Sequence, residues 1–159
     1  MCIVSNPRGD KFLEFIQAEE DMVPTFTPLT HALIVVKHQE TFLLGFNREK
    51  QQWELPGGVL DEGESPRRCV IRECDEETSQ HIEYPVYAGI MKFELQPTRW
   101  VPRTRIEYGV LYSAELTTVH AFQPNAEISQ ICFWDRISEI GRIDPIDMTL
   151  LSYYTTQPT

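Results

Sequence analysis

A chain of 159 residues with 42% hydrophobic content can bury one full apolar core without disulfide or metal staples. Its formal net charge of −10 repels a nucleic-acid backbone, and no Lys/Arg cluster offsets it, so nucleic acid is set aside as a partner. No apolar run approaches the ~20 residues that span a bilayer, so no membrane partner is expected. The opening Met1–Arg8 lacks the basic end and apolar stretch of a signal peptide, which makes the cytoplasm the expected compartment.

No repeat, low-complexity tract or Gly/Ser linker divides the chain, so residues 1–159 are read as a single domain. Phe12, Leu13, Phe15 and Ile16 fit a short strand or helix, after which Pro24 and Pro28 break the chain. His31 to Lys37 is an apolar run of strand length. Thr41 to Phe46 follows a polar His38-Gln39-Glu40 turn, which predicts a hairpin. Trp53 to Gly58 interrupts regular structure. Ser65-Pro66 then opens a helix, with serine as N-cap and proline at the first helical position, running to about Ser79. Ile82 to Leu95 and Arg105 to Leu116 read as longer strands joined by a loop rich in Pro and Arg. Ile128 to Trp134 is another strand, and Asp147 to Tyr154 a closing helix followed by a frayed tail. Strands before and after a central helix indicate a mixed α/β sheet.

Cys2, Cys69, Cys74 and Cys132 have no C-x-x-C spacing, which argues against zinc. The last three read as small apolar core residues in a reducing compartment. The four histidines show no ligand spacing and are taken as surface or strand-end residues. Trp53 is assigned to the core.

The predicted helix carries Arg72, Glu73, Glu76 and Glu77. Positions three and four apart share a helix face, so the three glutamates crowd together, and like charges at this spacing cost a few tenths of a kcal/mol each. Glu64 approaches the same region from the preceding loop. Arg72 can pair with a carboxylate and hold it in place. Carboxylate oxygens are the hard ligands that Mg²⁺ prefers, and substrate phosphates complete its octahedron. Gly57-Gly58 lets backbone carbonyls come close. A solvated acidic face is the bland alternative for the glutamates taken alone.

The array Gly58-x5-Glu64-x7-Arg72-Glu73-x2-Glu76-Glu77 resembles the Nudix box, G-x5-E-x7-R-E-U-x-E-E-x-G-U with U a bulky aliphatic residue, and the preceding Trp53-Glu-Leu-Pro-Gly-Gly58 is also typical of that family. The box occupies Gly58–Gln80. Cys74, Ser79 and Gln80 depart from its pattern; they touch packing and helix capping, not the carboxylates. The resemblance implies a Nudix-type α/β/α sandwich with a mixed β-sheet. It further implies a hydrolase cleaving a phosphoanhydride of a nucleoside diphosphate derivative, with Mg²⁺ as cofactor and Mn²⁺ as the alternative. Carried over residue by residue, it makes Glu76 and Glu77 metal ligands, and Glu73 a ligand or the base that orients water. Arg72 would hold Glu73, Glu64 would act through or near metal-bound water, and a Gly57 or Gly58 carbonyl would complete the shell. Glu127, ahead of the late strand, is the candidate for a further loop glutamate.

Specificity lies outside the box. Arg99, Trp100, Arg103 and Arg105 cluster in one connection, where arginine suits phosphate and tryptophan can stack on a base, although a solvated hairpin tip is the plainer reading. Arg48 is a further candidate phosphate contact. The leading substrate is a (deoxy)nucleoside triphosphate, with ADP-ribose or a nucleotide sugar second. A catalytically silent, nucleotide-sensing domain is the rival of a different class. A homo-oligomer is compatible with this reading.

Overall fold

A computed structural model describes residues 2–156. Twelve stretches of regular structure are arranged around one mixed sheet. Strands β1 (Val4–Ser5), β2 (Lys11–Ile16), β3 (Leu29–His38), β4 (Thr41–Asn47), β5 (Gln52–Glu54) and β6 (Gly57–Val59) precede helix α1 (Pro66–Thr78). Strands β7 (Val86–Leu95), β8 (Arg105–Glu115) and β9 (Ile128–Trp134) follow, then helix α2 (Pro145–Thr156). A single 3₁₀ segment, Glu20–Thr25, sits between β2 and β3 and contains Pro24. The main strand order is β1-β2-β7-β8-β3-β4-β5, with β6 paired to β3 and β9 to β4. Only β3 and β8 run parallel among these pairs.

β3 is apolar on both faces because both faces are covered. Ala32, Ile34 and Val36 pack with Cys69, Val70 and Cys74 of α1. Val35, one residue out of phase, packs with Ile146, Leu150 and Leu151 of α2. Side chains alternate across a strand, so the two helices lie on opposite faces of the sheet. The α/β/α sandwich with a mixed sheet follows directly.

α1 is specified locally. The Ser65 hydroxyl accepts the Arg68 N–H at 3.2 Å, and Pro66 occupies the first turn. The helix stops at Ser79, which adopts the left-handed conformation (φ 63°) that costs a non-glycine residue about 1 kcal/mol. Gln80 stands where an apolar residue is usual and is fully buried. Its side chain is satisfied by the His120 backbone, donating to the carbonyl and accepting the N–H, both at 2.8 Å.

Several boundaries differ from the sequence reading. Trp53–Gly58 is not an interruption: it contributes parts of β5 and β6, pinned to β4 and β3. β7 begins at Val86 because Pro85 precedes it, and Ile82 is instead a buried loop residue on the α1 side of the core. The β3–β4 hairpin pairs at only two registered positions before β4 turns to β9 and β5. α2 starts two residues earlier than expected, since Asp144 Oδ2 accepts the Asp147 N–H at 3.0 Å ahead of Pro145. The expected frayed tail at 157–159 lies outside the described residues.

Cys69, Cys74 and Cys132 are packing groups, while Cys2 is exposed. Burial pushes Cys69 and Cys74 up to about 12 and Cys132 to about 11, and all are free. Trp53 is buried, with its indole N–H donating to the Ile140 carbonyl at 2.7 Å.

Candidate active site

The N-terminal half of the site depends on how closely β6 approaches β3 and α1. Gly57 sits at φ 142°, and a Cβ there would lie 2.3 Å from the Ala32 carbonyl oxygen. A Cβ on Gly58 would lie 2.9 Å from the Glu73 carboxyl carbon. Gly57 therefore requires glycine, a side chain at Gly58 would displace the Glu73 carboxylate, and the β6 backbone lies directly against the box helix.

The box carboxylates divide into two groups. Arg72 organises the first. Its Nε and Nη2 donate to the two Glu64 oxygens at 2.7 and 2.9 Å, a bidentate pair. Its Nη1 donates to Glu73 at 2.9 Å and to Glu76 at 3.1 Å, and Asp61 lies 3.3 Å from Nε. The hydrogen bonds from Arg72 hold the Glu64 carboxyl down at about 2. Glu73 moves the other way, because burial outweighs its arginine partner. Arg72 does hold Glu73, as the sequence suggests, but it engages Glu64 still more fully.

Glu77 forms the second group. It is only 6% exposed, and its carboxylate accepts the Gly57 N–H at 2.9 Å. Burial, then the negative charges of Glu127, Glu73 and Glu54, pushes it up to about 9 despite that bond. Glu127 is also raised, by burial first and then by Glu54. Its carboxylate takes no hydrogen bond or ion pair among the described residues. Its loop is held by Arg48, whose backbone N–H donates to the Glu127 carbonyl at 2.9 Å and whose Nε donates to the Asn125 carbonyl at 2.8 Å. Arg48 is thus a loop anchor and does not line the cavity.

Among the described residues no three His, Cys, Asp or Glu side chains form a ready-made coordination set, because Arg72 holds Glu64, Glu73 and Glu76 while Glu77 bonds to Gly57. The donor chemistry still fits a hard divalent cation. Carboxylates that raise one another's pKa, against a glycine backbone and without a lysine or arginine on Glu77, are the oxygen ligands such an ion takes.

Glu77, Glu127, Gly57 and Gly58 border a cavity of about 290 Å³. Leu33, Leu55, Phe93, Leu95 and Ile146 give its lining an apolar and aromatic part. His31 also lines it, edge-on to Phe93 with ring centroids 6.5 Å apart. Burial lowers the His31 pKa, Glu107 opposing it, so the ring is a neutral wall element at pH 7 and not the plain strand-end residue expected.

The Asn6–Asp10 turn of the β1–β2 hairpin closes one end of this cavity. Asp10 holds the turn together. Its Oδ2 accepts Arg8 Nε and Nη2 at 3.1 and 2.9 Å, and its Oδ1 accepts the Gln96 N–H at 2.8 Å. Burial alone would raise the Asp10 pKa, but Gln96, Arg8 and Asn6 together lower it. The sequence reading missed Asn6, Arg8, His31 and Phe93, since only the β2–β7–β8–β3 pairing brings them together.

The arginine cluster is not at the cavity. Arg99 stacks on the exposed Trp100, 5.0 Å from its ring centroid, at the tip of the β7–β8 hairpin. Arg105 is engaged by Glu107 and the Gln96 carbonyl. Arg103 offers its carbonyl to Arg105. None of Arg99, Arg103 and Arg105 borders the cavity beside the box, and they sit at or near the hairpin tip, the plainer of the two expectations. Arg105 and Glu107 are two apart and share a strand face, a signal that was present in the sequence.

Comparison with known proteins agrees with this geometry. Residues 25–154 match the NUDIX domain family. A MutT-like protein of Streptomyces ambofaciens is 30% identical over 141 residues, covering 82% of each chain. The mRNA-decapping protein g5R of African swine fever virus is 33% identical over 91 residues, covering 57% of this chain and 35% of the viral protein. Among solved structures, a pyrophosphohydrolase of Bacillus subtilis superposes with a TM-score of 0.67 at 15% identity, covering 96% and 97% of the two chains. The NUDIX domain of Shewanella oneidensis NrtR, complexed with ADP ribose, gives 0.60 at 20% identity, covering 87% and 97%. The chain belongs to the Nudix hydrolase family, enzymes that act on nucleoside diphosphate derivatives and generally use divalent metal ions.

Proposed function

We propose that this chain is a Mg²⁺-dependent pyrophosphohydrolase acting on a (deoxy)nucleoside triphosphate to give the monophosphate and pyrophosphate. The observation that carries this reading is one cavity whose lining holds both kinds of group the substrate needs: Glu77, Glu127 and glycine backbone for metal and phosphates, and His31, Phe93 and Leu95 for the nucleoside. At about 290 Å³ it lies at the small end of ligand pockets, about 300–1,000 Å³, and suits one nucleoside with its phosphates at the carboxylate wall. A base packs between Phe93 and the aliphatic residues.

Glu73, Glu76 and Glu77, with a Gly58 carbonyl, would hold the metal, and Glu64 would act through Arg72. Bound Mg²⁺, or Mn²⁺ as the alternative, supplies charge neutralisation at the phosphates and acidifies water. Glu127 would take the proton of the attacking water as the new P–O bond forms and the α–β phosphoanhydride breaks, separating the monophosphate from pyrophosphate. Its raised pKa and its lack of a bonding partner suit a general base better than Glu73, which Arg72 restrains. Arg72 positions Glu73 and Glu76 and does not touch substrate.

ADP-ribose or a nucleotide sugar is the second substrate reading, supported by the ADP ribose complex of the similar Shewanella domain. A catalytically silent sensor is disfavoured by the intact Glu73, Glu76 and Glu77. Phosphate and pyrophosphate release from a panel of nucleoside triphosphates, ADP-ribose and nucleotide sugars, with and without Mg²⁺, tests all three. Turnover that persists in excess chelator would rule out the metal mechanism, and a panel without any turnover would favour the sensor.

A further inference from the structure

A second cavity of about 330 Å³ adjoins the first and shares Asn6, Arg8, Lys50 and Asp144 with it. Gln52 and Arg142 complete the polar lining, and no box residue takes part. Three cations therefore line this cleft in a protein of net charge −10. Asp144 is the acidic residue in the lining, and both of its oxygens are engaged, one by Gln52 at 3.3 Å and one by the Asp147 N–H at 3.0 Å.

Arg8 is held in place, and all three cations keep donors free. Arg8 spends Nε and Nη2 on Asp10, which is itself fastened to Asn6 and Gln96. Its Nη1 donates to no group among the described residues, and neither does the Arg142 guanidinium. The Lys50 ammonium is 3.7 Å from Glu54, with its side chain 48% exposed. A guanidinium whose orientation is fixed and whose outer N–H groups are unspent is a pre-organised phosphate donor. The turn carrying Arg8 lies before residue 25, outside the part of the chain that matches the family.

We infer that Arg8, Lys50 and Arg142 form a second anion subsite, which selects nucleotides carrying a further phosphate on the sugar, remote from the bond that is cleaved. This inference rests on the proposed hydrolysis for its orientation: with the scissile phosphates at Glu77 and Glu127, which do not line the second cavity, the sugar end of the nucleotide would point toward Arg8 and Arg142, which do. The shared chemistry is a sugar-linked phosphate. It has two sources, a 3′-monoester or the 3′,5′-diester of a second nucleotide.

The test compares three Mg²⁺ complexes as substrates: adenosine 5′-triphosphate, its 3′-phosphorylated counterpart, and the dinucleotide bearing a 5′-triphosphate. The native protein should favour one of the last two by about tenfold or more in kcat/KM, mainly through KM, the worth of one charge-assisted hydrogen bond. Preference for the monoester or for the dinucleotide identifies the source, and either supports the subsite. Arg142→Gln should bring the preference close to one while leaving adenosine triphosphate turnover unchanged. Arg8→Gln should also abolish the preference, with its melting temperature measured to show that the turn still folds. Equal kcat/KM for all three substrates in the native protein, or a preference that survives both substitutions, overturns the inference. Calorimetric binding of adenosine 3′,5′-bisphosphate against adenosine 5′-monophosphate separates this from failure of the hydrolysis reading. If no nucleotide is cleaved, tighter binding of the bisphosphate that Arg142→Gln removes supports the subsite alone, and equal binding refutes it.

Discussion

The Glu77 carboxylate accepts the backbone N–H of Gly57 at 2.9 Å, across twenty positions of sequence. That bond ties the box helix to β6 and leaves a buried charge without a cation. The folded carboxyl sits at about 9 against an ordinary 4.5, so the folded state holds more protons than the unfolded one between these values. The metal-free protein should therefore lose stability as pH rises from about 4.5 towards 9. Glu77→Gln keeps an oxygen for the Gly57 N–H and removes the charge. It should flatten this slope in chelator, raise the melting temperature at pH 8, and lower kcat by at least ~10²-fold. An unchanged slope in the glutamine variant would show that the charge resides elsewhere.

Arg72 binds Glu64 at two points and Glu73 and Glu76 at one each. Residues that orient metal ligands typically contribute about 10–100-fold to affinity or activity. Arg72→Gln should lower kcat within that range and weaken Mg²⁺ binding measured by titration. Arg72→Lys should recover little, because an ammonium cannot reproduce the bidentate fork on Glu64. Recovery by lysine would reduce Arg72 to a simple counter-charge.

Glu127 is raised by burial, and its carboxylate bears no hydrogen-bond or ion-pair partner among the described residues. Glu127→Gln should lower kcat strongly, leave apo stability nearly unchanged, and remove the acidic limb of the kcat–pH profile. Arg48→Ala, which frees the loop without touching the cavity, should give a milder kcat loss with the limb intact. If the limb persists in Glu127→Gln with a lower plateau, Glu73 becomes the base.

Gln80 occupies a position where the family pattern carries an apolar residue. Restoring that pattern should harm the protein. Gln80→Leu deprives the His120 N–H and carbonyl of their 2.8 Å partners, which should cost about 1–3 kcal/mol. Thermal denaturation measures it, and an unchanged or higher melting temperature would show that solvent replaces the lost bonds.

The box was readable because its chemistry is local: one helix, one glycine pair and one loop place every carboxylate within a short stretch. The strands that bury both faces, such as Leu33 to Val36, were readable for the same reason. The rest of the cavity's lining was not, because His31, Phe93 and Asn6 meet only through strand register. The charge cluster at Arg99–Arg105 left two readings open because density of charge in sequence says nothing about direction. In the fold Arg105 turns to Glu107 and Arg99 to Trp100. Arg8, a lone cation in an unremarkable N-terminal stretch, offered no pattern at all.

Asn125 donates its side-chain amide to the carbonyls of both Glu76 and Glu77, at 3.1 Å each, and its own Oδ1 accepts the N–H groups of Glu127 and Ile128 at 3.1 and 2.8 Å. The end of α1 and the loop bearing Glu127 thus share one cap. Glu127 cannot swing away as a hinged lid without stripping two helix carbonyls of their partners, so the helix end and the loop behave as one mechanical body. Their amide protons should exchange with solvent together, at rates set by a common opening event.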